Sequence, residues 1–434
     1  MRYDAIVIGA GPAGGAAAIL LAKAGWSVAV VEKSPFPRRK VCGEFVSASN
    51  ALLLAELGIA ESYAELAGPD IRRIGAFARD AAVAADVPHG TIGAGGWGRA
   101  LGREKLDAIL LDQAVRNGAH LWQPWSAVAL EYGRRVRSCR IAAKGEERTL
   151  RAPIIIAAHG SWERSSLPTQ AARPHKPSDL LAFKAHFRSC GLPADLMPLL
   201  AFPGGYGGIV TSDCGRVSLS CCIRRDALQE CRKRYPAAPA AEAVLRHISA
   251  SCIGLGDALS NAELEDRWLA AGPINPGMRG GMTGGVFLVG NAAGEAHPIV
   301  AEGISMAMQS ASLLCRELFA RQDEPRTGSW LRDVGRAYSA RWRSHFSTRI
   351  RAAALFAHVA MRPAQVRTLV PIVKTFPAML IFGARLSGKR KLHTEMPAAP
   401  VARPANRLGE VDAGGARRVS FAAVDDCHDK ALPP

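Results

Sequence analysis

The segment Gly9-Ala10-Gly11-Pro12-Ala13-Gly14 restricts this chain more than any other, because of what flanks it. Ala5-Ile6-Val7-Ile8 is a short apolar run of the kind buried in a parallel sheet. Pro12 to Ala24 is an alanine-rich helix pattern stopped by Gly25, and Ser27 to Val31 reads as a second strand closed by Glu32. In such a βαβ unit Gly9 permits the tight turn out of the strand and Gly11 lets the backbone approach a pyrophosphate. Gly14 lets the helix pack closely on the strand. Pro12 and Ala13 open the helix, whose free N–H groups and dipole favour a phosphate. Glu32 stands 23 residues after Gly9, where a carboxylate accepts hydrogen bonds from ribose hydroxyls, and Lys33 is counted with it. The unit calls for a dinucleotide without distinguishing NAD from FAD.

A second glycine-rich segment makes that distinction. Gly284-Gly285-Val286-Phe287-Leu288-Val289-Gly290-Asn291-Ala292-Ala293-Gly294-Glu295-Ala296-His297-Pro298 is a strand running into a small-residue turn, roughly 280 residues after the first. Here the chain resembles the flavoprotein superfamily of p-hydroxybenzoate hydroxylase and geranylgeranyl reductase. Its Gly-Asp-Ala-Ala turn holds the ribityl chain of FAD. Asn291 replaces the usual aspartate, and an amide still hydrogen-bonds a ribityl hydroxyl. The resemblance makes Gly290, Asn291 and Ala292 cofactor contacts. It also starts a helix at Gly303-Ile304 whose N-terminus points at the flavin N1–C2 edge.

The same resemblance implies further contacts. Arg103 opens an Arg-x-x-Leu-Asp-x-x-Leu segment that lies beside the cofactor in the family, and the main chain near Ala127 falls at the adenine edge. His159-Gly160-Ser161 occupies the place of an Asp-Gly motif that touches FAD and NADPH in the hydroxylase branch. The electron donor is therefore either NAD(P)H or a separate reductase or ferredoxin. Lys40-Val41-Cys42-Gly43-Glu44-Phe45 resembles the Lys-x-Cys-Gly segment of the reductase branch, with its cysteine near the flavin ring. Pro203 to Gly208 resembles the reductases' Gly-Gly-Tyr-x-Trp turn, which walls the substrate cavity, with Gly208 in place of the tryptophan. Cys42, Glu44 and Tyr206 are the candidate catalytic residues. Lys40 and Cys42 join the cofactor contacts.

A chain of 434 residues with 48% hydrophobic content holds about two globular domains. The expected class is α/β: a Rossmann-type, glutathione-reductase-like FAD domain, an inserted antiparallel-sheet substrate domain and a helical C-terminal region. The FAD domain is expected over 1–75, 98–170 and 275–330, and the substrate domain over 76–97 and 171–274, with short strands and few long helices. A basic helical region follows over 331–393, then a disordered tail over 394–434. The ten cysteines show no zinc spacing, and no metal site is expected. Without a signal peptide they read as reduced thiols in a cytoplasmic protein, most of them small core residues.

The net charge of +17 is local: between Val334 and Thr394 there are twelve Lys or Arg and no Asp or Glu. Leu369 to Phe382 is apolar but broken by Pro371, Lys374 and Pro377, too short to span a bilayer. Three readings of 345–393 stay open: a helical layer over the substrate cavity, a peripheral membrane anchor, or a nucleic-acid surface. The last is not expected, for want of aromatic interleaving. The leading function is FAD-dependent reduction of a carbon–carbon double bond in a hydrophobic, isoprenoid or quinone-like substrate. The alternative is a monooxygenase hydroxylating a phenol or alkylresorcinol ring. A different class is a membrane- or RNA-binding protein with structural flavin. Halogenase relatives are set aside because no Trp-x-Trp-x-Ile-Pro segment occurs.

Overall fold

The computed structural model describes residues 1–88, 96–133, 137–160, 167–169, 174–324 and 327–389. The expected disordered tail, Ser161, Cys427, Arg390 and Lys391 lie outside these residues.

The βαβ reading becomes the centre of a six-stranded sheet. Its strand order is Met282–Thr283, Val286–Leu288, Ile154–Ala157, Ala5–Ile8, Val28–Val31 and His120–Trp122. Ala5–Ile8 pairs in parallel with Ile154–Ala157 on one side and Val28–Val31 on the other. Every residue of those three strands is buried, which is why they read as continuous apolar runs rather than alternating ones. Helices Pro12–Lys23, Arg103–Arg116 and Gly303–Ala320 cover this sheet, the first lying between the other two. Thus chain segments almost 300 residues apart close over one core.

A second sheet of eight strands runs in the order Glu263–Leu264, Leu180–Arg188, Val217–Arg224, Gly205–Thr211, Leu196–Phe202, Arg73–Ala78 and Ala81–Asp86, with Leu269–Ile274 beside Leu180–Arg188. Its strands alternate between two faces. Phe77, Leu196 and Phe202 pack with Leu228, Val244, Ile248 and Leu255 of three helices, Arg225–Arg234, Ala240–Ser251 and Ile253–Ala258. The longest of these helices has 12 residues, and the sequence reading named none of them. Arg225–Arg234 buries only Leu228 and Cys231 among charged neighbours, so its apolar stripe is too thin to show in sequence.

The basic C-terminal region is helical. Helix Gly328–Ala360 starts on Thr327, whose hydroxyl accepts the Trp330 N–H at 3.3 Å. It buries Trp330, Val334, Tyr338, Trp342, Phe346, Ile350, Ala353 and Ala357 at helical spacing. Tyr338 fastens it to the first sheet by donating its hydroxyl to the Leu288 carbonyl at 2.8 Å. Helices Pro363–Thr375 and Ala378–Ala384 then turn back across the second sheet, bent by 113° at their junction. Among the described residues no single helix is long and apolar enough to cross a membrane.

Candidate cofactor and active site

A cleft of about 510 Å³ opens where the parallel strands end. It gathers most of the sequence candidates: Gly9, Gly11, Pro12, Ala13, Glu32, Lys33, Lys40, Cys42, Glu44, Arg103, Ala127, Gly290, Asn291, Gly303 and Ile304 all line it, with His159 and Gly160. Residues from both glycine-rich loops therefore face one volume.

The cleft fits a dinucleotide. Gly9 has φ +101°, a conformation side chains avoid. At Gly14 an added Cβ would stand 1.8 Å from the Gly9 carbonyl oxygen, so Gly14 supports the turn from behind without lining the cleft. Neither Pro12–Lys23 nor Gly303–Ala320 has a side-chain cap at its N-terminus, and both N-termini face the cleft, leaving N–H groups for a ligand. Glu32 is fixed by the N–H groups of Ala10 and Ser34, both at 2.9 Å, and by Arg38 at 3.2 Å. Ala292 is buried behind Gly290 and Asn291 and does not line the cleft.

Arg38 is a residue the sequence reading missed. It lines the cleft beside Glu32, and its Nε and Nη1 are buried without a hydrogen-bond partner among the described residues. Nη2 is held by Glu32 and Nη1 stands 3.7 Å from Asp107, but buried N–H groups that make no hydrogen bond are costly, and a phosphate would satisfy them. Asn291 donates to Glu295 at 3.1 Å, orienting the amide that replaces the usual aspartate.

Around the Lys40–Phe45 segment the charges are tightly arranged. Arg103 makes two 2.7 Å bonds to Asp107 and contacts the Cys42 sulfur. Burial alone lowers its basicity, but Asp107 and Cys42 outweigh that and keep it charged. Glu44, with φ +62°, is wholly buried; it pairs with Lys184, and His186 Nε2 lies 2.9 Å from it. Burial pushes its carboxyl up, yet Lys184 and His186 together hold it well below the usual carboxylate range. Glu44 thus stands in the wall of the cleft as a fixed, buried carboxylate whose oxygens are already engaged.

Tyr206 is a correction. It is 1% exposed and lines no part of the cleft. Its strand, Gly205–Thr211, lies in the middle of the second sheet, and its hydroxyl meets His297 Nδ1 at 2.9 Å behind the Ala296–Pro298 turn. Burial raises its hydroxyl well above the ordinary tyrosine range and lowers His297 to about 4, so both are neutral near pH 7. Among the described residues eight cysteines are free, while Cys214 is disulfide-bonded, which corrects the expectation of reduced thiols there. Of the free ones only Cys42 faces the cleft, and burial pushes Cys139, Cys221 and Cys252 up to about 12. Among the described residues no cluster of His, Cys, Asp and Glu has metal-binding proximity.

A second cavity, of about 420 Å³, lies between the second sheet and the C-terminal helices. Ala76, Ala78, Leu199 and Ala201 form its floor, and Val366, Leu369, Val370 and Val373 its roof. Ser387 is its one hydroxyl-bearing residue among those described, and that hydroxyl is bonded to the Ala384 carbonyl at 2.7 Å. Ala301 lines both cavities, immediately before the helix that starts at Gly303.

The family of FAD binding domains matches residues 2–333. This chain belongs to it. It is 28% identical over 357 residues to a menaquinone reductase of Mycobacterium tuberculosis, covering 77% of this chain and 81% of the relative. It is 26% identical over 369 residues to a digeranylgeranylglycerophospholipid reductase of Methanopyrus kandleri, covering 80% and 83%. Among solved structures, the myxobacterial chondrochloren halogenase CndH superposes with a TM-score of 0.70 at 19% identity, covering 89% of this chain and 91% of that one. That last likeness speaks for the fold alone. The protein is an FAD-dependent oxidoreductase of the superfamily the glycine-rich loops indicated.

Proposed function

We propose that this oxidoreductase reduces a carbon–carbon double bond in a hydrophobic, isoprenoid-bearing substrate. The observation that carries the reading is the apolar cavity that shares the wall residue Ala301 with the cofactor cleft. A hydroxylase acting on a phenol needs polar groups to orient and activate the ring, and among the described residues this cavity offers none in a free state. An alkene in a hydrocarbon chain asks only for shape and exclusion of water. The two reductase relatives, each matched over most of its length, agree with this choice.

Bound FAD supplies the hydride, from its reduced ring. The protein's own part follows from the cleft. Gly9, Gly11 and the Pro12 helix start would hold the pyrophosphate with Arg38, Glu32 would take the ribose, and Gly290 with Asn291 would take the ribityl chain. Cys42 is the proton source. Its thiol would give a proton to one alkene carbon while the hydride went to the other, and the thiolate left behind would face the Arg103 guanidinium. Glu44 positions this segment and is not the acid, since Lys184 and His186 keep it ionised. Two electrons per turnover come from NAD(P)H or from a separate reductase or ferredoxin.

The test is anaerobic. Holoprotein reduced with dithionite is mixed with a menaquinone or a digeranylgeranylglycerophospholipid. Recovery of the flavin bands without oxygen, with two hydrogens retained in the chain after the product is exposed to air, supports the reading. Recovery only on admission of oxygen, with a hydroxylated phenol as product, overturns it.

A further inference from the structure

We propose that the bent helix pair Pro363–Thr375 and Ala378–Ala384 is a docking surface for an anionic lipid bilayer, and that the apolar cavity opens onto it. Eleven large apolar side chains stand exposed among the described residues, and six of them lie between Leu355 and Leu386. Phe376 is 61% exposed and Phe382 62%, one at the corner between the two helices and one on the second. A soluble surface scatters such residues singly; a concentration of this kind marks an interaction site. The inner face of Pro363–Thr375 already covers the cavity with Val366, Leu369, Val370 and Val373, leaving Ile372 and Phe376 turned outward. This layer is therefore apolar on both sides.

Charge selects the occupant. The segment from Val334 to Thr394 holds twelve Lys or Arg and no acid. Arg351, Arg367 and Arg385 are exposed, and Lys374 stands half-exposed 3.6 Å from Asp80. A second copy of the chain would bring two surfaces of the same sign together. Apolar side chains ringed by basic ones are what anionic headgroups over acyl chains accept.

The cavity's mouth coincides with this surface. Leu355 and Met379 both line the cavity and are 60% and 46% exposed. A chain entering between them from the acyl layer runs along apolar walls to Ala301 and the cofactor cleft. This route rests on the cavity being the substrate's place; the docking itself does not.

The experiment is co-sedimentation of holoprotein with phosphatidylcholine vesicles, with and without about a third phosphatidylglycerol. Turnover is measured in parallel on substrate in vesicles and in detergent. Wild type is expected to pellet with the anionic vesicles and to be released by high salt. Phe376→Ser with Phe382→Ser, and separately Arg367→Glu with Arg385→Glu, should each cut binding at least tenfold with flavin content unchanged. The Phe variant should keep detergent turnover and lose vesicle turnover. Three results overturn the docking: no pelleting of wild type, equal binding to neutral vesicles, or binding indifferent to both variants. A dimer that the Phe variant splits, without vesicle binding, overturns it in favour of a second copy. Capture of an acidic protein in place of vesicles does so as well. Docking with no turnover in detergent strikes the reductase reading and leaves the docking standing.

Discussion

Glu44 and Lys184 form an ion pair in which neither side chain exposes any surface. Glu44 stands on the loop that carries Cys42 into the cleft, and Lys184 on a strand of the second sheet. His186, two residues further along that strand, turns to the same face and meets the other carboxylate oxygen. The pair therefore sets the Lys40–Phe45 segment against the second sheet and fixes where the cleft's wall stands.

Lys184→Met should destabilise the protein by about 3–5 kcal/mol in guanidinium unfolding, because it leaves a buried carboxylate with only His186 and the Arg103 N–H. Adding Glu44→Gln should recover part of the loss. The sign in pH follows from the lowered Glu44 carboxyl. The folded state holds fewer protons there than the unfolded chain, so its contribution is complete above the ordinary value of 4.5 and is lost as pH falls through the lower folded value. The gap between wild type and the double variant should accordingly narrow below pH 4.5. A gap that widens there contradicts the pairing.

Gly11→Ala and Gly14→Ala should fail in different ways. An added Cβ at Gly11 meets nothing nearer than Arg103 Nη2 at 3.4 Å, so the fold accepts it. FAD affinity should fall by about a hundredfold, roughly 2.7 kcal/mol, because the methyl occupies the pyrophosphate's approach. At Gly14 the Cβ would collide with the Gly9 carbonyl, so stability itself should drop and the apoprotein should unfold early. Thermal unfolding and flavin titration on both variants separate the two. Equal loss of stability would show that Gly11 serves the fold and not the ligand.

The contrast between these glycines and Glu44 shows which parts of the site a sequence can reveal. Both glycine loops obey local rules: a strand, a turn that only small residues permit, and a helix start lie within one short window. The helix Gly303–Ala320 ends where its apolar period ends. Lys184 and His186, by contrast, sit on a strand whose other residues up to Arg188 at its end are apolar, and their partner is 140 and 142 residues away. No local pattern announces such a pairing. Arg38 was hidden among Pro35, Pro37, Arg39 and Lys40, where a run of bases looks like solvated surface. Tyr206 misled for the opposite reason: a motif that walls a cavity in relatives here turns its tyrosine inward to His297. The cavity itself needs the C-terminal helices, whose basic composition pointed to a surface as readily as to a roof.

His297 should make stability depend on pH in a defined window. Burial lowers its imidazole from 6.5 to about 4. Between those values the unfolded chain binds the proton and the folded protein does not, so stability is full above pH 6.5 and falls as pH drops toward about 4. The slope should reach at most one proton, about 1.4 kcal/mol per pH unit. His297→Gln should remove that slope while leaving an amide to meet Tyr206. Denaturant midpoints taken at intervals from pH 7 to 4 measure it, and an unchanged slope in the variant would rule out His297 as its source.

Val370→Trp should close the apolar cavity without touching the cofactor. Val370 lines the roof on helix Pro363–Thr375 and has no part in the cleft. An indole in its place takes up volume that a long isoprenoid chain needs, while Gly9, Glu32, Arg38 and Asn291 keep their positions. Flavin content and the extent of dithionite reduction should match the wild type. The kcat/KM for a long-chain substrate should fall at least tenfold, about 1.4 kcal/mol of binding lost to the transition state. A substrate carrying a single short prenyl unit should suffer less, because it reaches Ala301 without filling the roof. If long and short substrates lose activity equally, the chain does not lie in this cavity, and the double bond reaches the cofactor by another path.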